Sequence, residues 1–296
     1  MPSCSRDDRG ALMRVVEVPD DHAAYPLVFK ELDDPPARVY TRGTFAIAEP
    51  PAVAIVGTRN ATPYGIRMAR SLATACAQAG ICVVSGLARG IDGAAHEAAL
   101  AVDGRTVAVL GTGPDVPYPP RHRRLQEEIA AKGLLISEFP AGSTGHGGAF
   151  PQRNRLIAAL AQVTVIVEAP EKSGALYTAN FAAELARRVA IVPNAVEVPS
   201  SRGSNALMRS HNAVPILEPA DLLSLFDIAA RPPHGPVLNG EAAQVWDAIQ
   251  LGADTPAAIA ARTALALPAI QGALGLLEID GLVYFDAAGR IRSALA

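Results

Sequence analysis

The chain has 296 residues, of which 50% are hydrophobic, 19% charged and 5% aromatic, and its formal net charge is −3. This length suits one large domain with a small one, and the apolar fraction suffices for a buried core. No apolar run reaches the ~18–20 residues that a membrane span needs, and no apolar stretch follows the charged N-terminus as in a secretory signal. Three cysteines without a Cys-x-x-Cys pair argue against a zinc ribbon or a disulfide scaffold, so we expect a cytoplasmic protein.

Basic residues are concentrated in the middle of the chain. Residues 51–215 contain 16 Lys and Arg against 11 Asp and Glu, a balance of +5, whereas the rest of the chain contains 10 against 18. Only three of the 26 basic residues are lysines. Arginine is the better two-pronged phosphate ligand, but a GC-rich genome also favours it, so the bias alone does not identify a ligand.

Short apolar runs alternate with helical patterns from residue 51 to residue 193. Thr62 and Pro63 start the first helix, Gly80 ends it, and Asp92 is placed to cap the second. Six apolar strands that alternate with helices predict an α/β fold with a doubly wound, mostly parallel Rossmann-like sheet. The predicted strands are 53–57, 81–84, 106–110, 134–137, 163–169 and 189–193, and the predicted helices are 63–79, 93–102, 121–132, 153–161 and 174–188.

The flanking segments complete the predicted domain organisation. Residues 1–50 form a lead-in whose first 24 residues are charged and expected to be loose. The Rossmann-like domain spans 51–230, and proline and glycine mark a linker at 231–236. A small winged-helix domain is predicted over 237–296. Its helices are predicted at 241–251, 256–262 and 268–278, and its strands at 282–286 and 290–293.

The C-terminal module is poor in DNA-reading side chains. Residues 236–296 contain three basic and six acidic residues, a balance of −3. The helix 268–278 offers only Gln271 as a polar reader, whereas helices that read a DNA groove use several Arg, Lys, Asn or Gln side chains. We therefore expect this module to contact protein rather than DNA.

The loops after the strands carry the candidate site, because ligands of an open parallel sheet bind at the carboxyl ends of its strands. Glycines and hydroxyls at helix starts leave backbone N–H groups for an anion, and the loops add full positive charges. Each residue alone could be a turn glycine, or an arginine paired with a nearby carboxylate, but their convergence favours an anionic ligand. The candidates are Gly57, Thr58 and Arg59 after the first strand, Gly86 and Arg89 after the second, Arg153, Asn154 and Arg155 after the fourth, and Lys172, Ser173 and Gly174 after the fifth.

Several common ligand classes lack their motif. There is no Gly-x-Gly-x-x-Gly fingerprint, no Gly-Lys-[Ser/Thr] P-loop, no metal-ligand spacing among the six histidines and no nucleophile elbow at Ser85. A nucleotide or a phosphate-rich polymer remains, and no cofactor or metal is predicted. Rings beside these loops suit single-stranded nucleic acid, which is commonly held by a positive groove with stacking side chains. They are Tyr64, Tyr118, Phe139, Phe150 and Tyr177.

Three runs of residues resemble the DNA-processing protein A (DprA/Smf) family: 53–59, 85–92 with His96, and 150–155. Shorter matches are Tyr118-Pro119, Ser137-Glu138 and Ser173-Gly174, and the resemblance covers roughly residues 25–215. It implies a non-enzymatic homodimer that binds and protects single-stranded DNA without sequence preference and loads the RecA recombinase during natural transformation. It assigns the DNA pocket to all of the candidates above except Arg155. The chain departs from the family at Pro193-Asn194 and at 209–213, which concerns the far edge of the sheet.

Two other interpretations stay open. The sheet is also similar to that of cytokinin-activating phosphoribohydrolases, whose Pro-Gly-Gly-x-Gly-Thr loop corresponds to Ser-Gly-Ala-Leu-Tyr-Thr at 173–178, with Glu184 later. Glu138 and Glu168 are the carboxyl groups near the loops that could act as a base, although orienting the arginines is the role we expect for them. A nucleotide sensor or such an enzyme is thus the alternative function. The third is an interaction module without affinity for nucleic acid.

Overall fold

A computed structural model describes residues 14–44, 48, 50–145, 147–210, 213–226, 238, 240–279, 282–286 and 289–293. The chain divides into two compact units, Met1–Pro233 and His234–Ala296. The linker predicted at 231–236 lies outside the described residues. Within the described part of the chain no single helix has the length and hydropathy to cross a membrane. One bent pair, Pro256–Thr263 with Leu267–Glu278, meets that test by length and composition alone.

The described part of the first unit is built on a nine-stranded sheet. The strands are β1 (Val16–Pro19), β2 (Arg38–Gly43), β3 (Ala52–Val56), β4 (Cys82–Ser85), β5 (Thr106–Leu110), β6 (Leu134–Ser137), β7 (Val163–Ile166), β8 (Arg188–Ile191) and β9 (Val214–Pro215). Their order in the sheet is β1-β2-β6-β5-β4-β3-β7-β8-β9. The strands from β3 to β9 run parallel, whereas β2 pairs antiparallel with both β1 and β6. The predicted α/β fold with a mostly parallel sheet is confirmed, and the sequence did not predict β1, β2 and β9.

Helices cover both faces of this sheet. Alternate residues of β3 point into two separate hydrophobic layers. Val53 and Ile55 pack in the layer that contains Leu72, and Val56 packs in the layer on the other face, which contains Ile157. Both sets are buried, which is why the parallel strands read as continuous apolar runs. The helices are α1 (Pro63–Gln78), α2 (Ile91–Ala101), α3 (Arg123–Lys132), α4 (Ala149–Leu160), α5 (Gly174–Glu184), α6 (Arg202–Ser210) and α7 (Pro219–Leu223).

Residues 14–44 of the lead-in belong to the fold, so the expectation of a loose segment is wrong for Val16–Pro19, which form β1. β1 pairs with β2, and Val18 lies opposite Val39, both buried. Tyr25 is buried as well, and its hydroxyl donates a hydrogen bond of 2.6 Å to the carbonyl of Pro36. Phe29, in the 3₁₀ turn Leu27–Glu31, joins the same core. Because charged residues are frequent in this segment, its buried apolar residues do not stand out in the sequence. Residues 1–13 lie outside the described residues.

Helix boundaries in the first unit differ from prediction by up to four residues. Asp92 lies inside α2 instead of capping it, since Gly90, with φ of 78°, occupies the N-cap position. α4 starts at Ala149 rather than 153, because Pro151 falls in the first turn, where a missing N–H costs no helical hydrogen bond. α5 ends at Glu184 rather than 188, and Ala186 adopts a positive φ of 53°. The first-helix prediction is confirmed: the Thr62 hydroxyl accepts from the Gly65 N–H at 3.1 Å.

The described part of the second unit contains three helices and a two-stranded antiparallel sheet. Its core centres on Trp246, Ile259 and Leu277. The elements follow the predicted order, and their assignment as a winged helix stays a prediction. They are α8 (Gly240–Gln250), α9 (Pro256–Thr263), α10 (Leu267–Ile279), β10 (Val283–Phe285) and β11 (Ile291–Ser293).

Candidate functional site

A concavity lies where the strand order reverses. β3 is flanked by β4 on one side and β7 on the other, so the loops that leave β3 and β7 diverge and open a crevice at the carboxyl edge. A cavity of about 400 Å³ occupies this place, and we call it the switch-point cavity. Eight of the predicted site residues line it: Gly57, Thr58, Arg59, Arg153, Asn154, Lys172, Ser173 and Gly174.

A second cavity of about 330 Å³, the flanking cavity, lies beside the first over β4 and β5. Its lining includes the predicted residues Gly86 and Arg89, together with Tyr118 and Arg121. Both cavities are lined by Arg59, Ala88, Phe150 and Arg153. The two spaces thus share a wall of one aromatic ring and two guanidinium groups.

Three exposed cations give the cavities a positive rim. Arg59 touches both cavities, Arg89 the flanking cavity and Lys172 the switch-point cavity. In the described part of the chain no carboxylate lies within ion-pair distance of any of the three. Their charges are therefore available to an anion.

Arg153 has a different environment, because it is buried beneath the cavities. Its guanidinium donates to the carbonyl of Gly86 at 2.6 Å and to that of Val109, and its Nε donates to Asn154 Oδ1 at 3.1 Å. Burial lowers the pKa of Arg153 to about 10, while the nearby Asp92 opposes this effect. Burial likewise raises the pKa of Asp92, against the Arg153 charge and the N–H of Gly86, which donates to it at 3.1 Å. This pair is a structural support of the site floor.

Two glycines allow this close packing. A Cβ at Gly86 would overlap the Arg153 guanidinium, and one at Gly57 would overlap the side chain of Ile91. The start of α5 is fixed similarly: the Ser173 hydroxyl accepts from the Ala175 N–H at 3.3 Å, and Asn154 donates to the carbonyl of Gly174 at 3.0 Å. A helix N-terminus therefore faces the switch-point cavity beside Lys172, an arrangement that favours phosphate.

Two of the five predicted rings meet at the site. Tyr118 and Phe150 have ring centroids 4.6 Å apart at an interplanar angle of 33°, and the Arg59 guanidinium lies 5.8 Å from the Phe150 centroid. Tyr64 donates its hydroxyl to the carbonyl of Pro193 at 3.0 Å. Neither cavity is lined by Tyr64, Phe139 or Tyr177.

Arg155 lines neither cavity. It is buried on another side of α4, where its guanidinium pairs with Glu138. The expectation that Glu138 orients an arginine is confirmed, but the same expectation for Glu168 is wrong. Glu168 is fully buried and accepts from the Thr62 N–H at 2.9 Å and from the Ser200 hydroxyl at 2.5 Å. It fixes the start of α1 instead.

Sequence reasoning missed Arg121 as a site residue. The four-residue stretch 121–124 reads Arg-His-Arg-Arg and was assigned to a helix alone. Its density of positive charge next to Tyr118 was the available signal. Proximity to the loop after β4 could not be read from the sequence, since it depends on the packing of α2 against the turn at His122.

Comparison with known proteins shows the family of the chain. Residues 18–227 match the family model described as DNA recombination-mediator protein A. The chain is 44% identical over 218 residues to protein Smf of Synechocystis, covering 68% of this chain and 54% of that one. It is 42% identical over 242 residues to the putative DNA processing protein DprA of Mycobacterium tuberculosis, covering 79% and 62%. The chain thus spans between half and two thirds of the length of these relatives.

Two solved structures are similar to the first unit's fold. DNA processing protein A of Streptococcus pneumoniae aligns with a TM-score of 0.69 and 33% identity over 73% of this chain and 76% of that one. The Helicobacter pylori protein, whose structure addresses its single-stranded DNA binding mode, aligns with a TM-score of 0.65 and 32% identity over 72% and 95%.

Fold and site together define a doubly wound α/β protein with a positively charged crevice at its switch point. Within that class, the chain belongs to the DNA recombination-mediator protein A family, the DprA/Smf family.

Proposed function

We propose that this protein binds single-stranded DNA without sequence preference in the two cavities at the carboxyl edge of the sheet. The observation that carries the proposal is the set of exposed, uncompensated cations, Arg59, Arg89 and Lys172, around a stacked Tyr118–Phe150 pair. Cations bind the phosphates of any sequence, and rings stack on any base.

The proposed contacts divide between the two cavities. In the switch-point cavity, the Thr58 and Ser173 hydroxyls, the start of α5 and Lys172 suit a phosphate. In the flanking cavity, Tyr118 and Phe150 suit a base. Arg153 acts indirectly, by holding the Gly86 loop from below. Membership in the family supports the wider role: a homodimer that protects the incoming strand, loads a RecA recombinase onto it and so mediates recombination in natural transformation.

The phosphoribohydrolase alternative has less support. The two carboxyl groups considered as a base are engaged elsewhere, Glu138 with Arg155 and Glu168 with Thr62 and Ser200. Asp92 lines the switch-point cavity, but it is buried beside Arg153. We therefore propose a binding role without a catalytic step.

Fluorescence anisotropy with labelled oligo-dT across a salt series tests this function. Arg59→Ala and Lys172→Ala should each weaken binding several-fold and reduce the slope of log K against log salt by about 0.7 for each lost phosphate contact. The matched controls are Arg70→Ala and Lys132→Ala, which remove the same charge from exposed positions outside both cavities. They should change binding less than twofold.

Equal losses in the site variants and the controls would show diffuse attraction and contradict the assigned site. Absence of oligo-dT binding at low salt would contradict the function itself. Release of free base from a nucleoside monophosphate would instead support the enzymatic alternative.

A further inference from the structure

Three arginines lie at and next to the flanking cavity, and the proposed contacts with DNA do not yet involve them. Arg121, Arg123 and Arg124, which we call the basic ridge, lie in the turn Pro120–His122 and at the start of α3. All three are exposed. Arg121 itself lines the flanking cavity, as do Tyr118 and Arg89. The ridge therefore continues the positive rim outward from the paired rings.

The carboxylates nearest in sequence do not neutralise the ridge. Glu127 is held in a two-pronged pair by Arg42, with distances of 2.9 and 2.6 Å, and Glu128 lies 3.5 Å from Lys132. Among the residues that the structure describes, none with a carboxylate comes within 4 Å of a ridge guanidinium. The ridge thus has no ion-pair partner among the described residues, and the attraction between Arg123 and Glu127 is shared with Arg42, which holds that carboxylate directly.

The position of the ridge is also unfavourable for the helix that carries it. The first turn of α3 contains no acidic residue, and its N-cap, His122, makes no side-chain capping hydrogen bond. Cations at a helix N-terminus oppose the helix dipole, whereas anions are stabilised there. Helix stability therefore does not explain the three arginines, while a bound anion would compensate both the dipole and their mutual repulsion.

The ridge is held in a fixed place relative to the cavity. His122 Nδ1 lies 3.1 Å from the Leu87 carbonyl, in the loop that lines the flanking cavity. The Gln126 amide donates to the carbonyls of Pro114 at 3.0 Å and Val116 at 3.3 Å, and its oxygen accepts from the Tyr118 N–H at 3.4 Å. These bonds fix the turn, the loop before it and α3 as one piece.

We infer that the DNA strand leaves the flanking cavity past Tyr118 and that its following phosphates bind the basic ridge. This inference rests on the proposed function. It adds the path by which the strand leaves the flanking cavity and a second phosphate-binding segment. Because guanidinium groups bind phosphates of any sequence, the ridge lengthens the binding site without adding base preference.

A length series of oligo-dT tests the inference with the full chain. The double variant Arg123→Ala/Arg124→Ala should bind an oligonucleotide of about four nucleotides within about twofold of wild type, because neither residue lines a cavity. On an oligonucleotide of about 16 nucleotides it should lose roughly fivefold or more, with the salt slope lower by about 1.4, corresponding to two lost contacts. The matched control is Arg67→Ala/Arg70→Ala, which removes the same charge from exposed residues that line neither cavity.

Each outcome either supports or contradicts the role of the basic ridge. A loss confined to the long oligonucleotide and to the ridge variant supports the inference. An equal loss on both lengths, an equal loss in the control variant, or unchanged binding of the long oligonucleotide overturns it. If Arg59→Ala weakens both lengths while the ridge variant does not, the proposed function stands and the inference alone fails. If wild type binds neither oligonucleotide, both fail.

Discussion

At the scale of single residues, the buried polar groups beneath the cavities separate structural support from ligand binding. Arg153 is the most deeply buried cation of the site and contacts the carbonyls of Gly86 and Val109. Its removal would leave these buried carbonyls without the donor that Arg153 supplies, and a buried polar group left unsatisfied costs about 1–3 kcal/mol. Arg153→Ala therefore tests the stability of the site floor, and the exposed Arg59 and Lys172 are the appropriate probes of binding.

His96 gives a prediction for the pH dependence of stability. It is fully buried, and its Nδ1 lies 2.7 Å from the Thr106 hydroxyl. Burial, and then the charge of Arg153, lower the pKa of His96 to about 3. In the unfolded chain the pKa is about 6.5, so between these values the unfolded state binds the extra proton, and the native state loses stability as the pH falls. Above pH ~6.5 the group contributes no pH dependence.

Urea unfolding at several pH values measures this effect. Between pH ~7.5 and ~5 the wild-type free energy of unfolding should fall by about 2 kcal/mol more than that of His96→Gln, which cannot titrate. The amide of the variant can still donate to Thr106. Parallel pH profiles of the two proteins would contradict the assignment.

At the scale of elements, the lead-in is the feature that changes the interpretation of the fold most. β2 pairs with β6 and so closes one side of the parallel sheet, and the 3₁₀ turn at Leu27–Glu31 packs on α4. Arg42 on β2 forms the ion pair with Glu127 on α3. Residues 16–43 are thus an integral layer of the first unit.

Two neighbouring substitutions test this conclusion. Phe29→Ala removes a ring that is 0% exposed, and its loss should cost about 3–5 kcal/mol in chemical unfolding. Leu27→Ala, two residues away, truncates a side chain that is 73% exposed and should change stability by less than about 0.5 kcal/mol. Similar small effects at both positions would mean that the lead-in is not packed on the sheet.

At the scale of the whole molecule, the excess of positive charge lies in the segment that carries the two cavities and not in the second unit. Residues 51–215 carry a balance of +5, whereas residues 236–296 carry −3. Affinity for a phosphate chain depends on the number of cations supplied, and the second unit supplies three. The proposed DNA site lies entirely within the first unit.

Truncation after Pro233 tests whether the first unit alone accounts for DNA binding. The shortened chain should bind oligo-dT within about twofold of the full chain, with an unchanged salt slope, because no proposed phosphate contact is removed. A loss of tenfold or more, or a lower slope, would show that the second unit contributes to DNA binding. The same truncation should abolish any protein contact that the predicted winged helix makes.

The sequence by itself determined the class of fold and the edge at which the site lies. Apolar runs alternating with helices require a parallel sheet, and in such a sheet the loops after the strands share one edge. Ten of the eleven predicted site residues accordingly line the two cavities. This followed from chain order alone, without knowledge of which strands are neighbours.

Tertiary structure decided what each of those side chains does. Arg153 and Arg155 are two positions apart on α4, and at about 100° per residue they point to nearly opposite sides of the helix. One therefore supports the floor of the site and the other pairs with Glu138. The pairing of β2 with β6 and the approach of Arg121 to the loop at Leu87 join segments far apart in the chain, and local periodicity carries no information about such contacts.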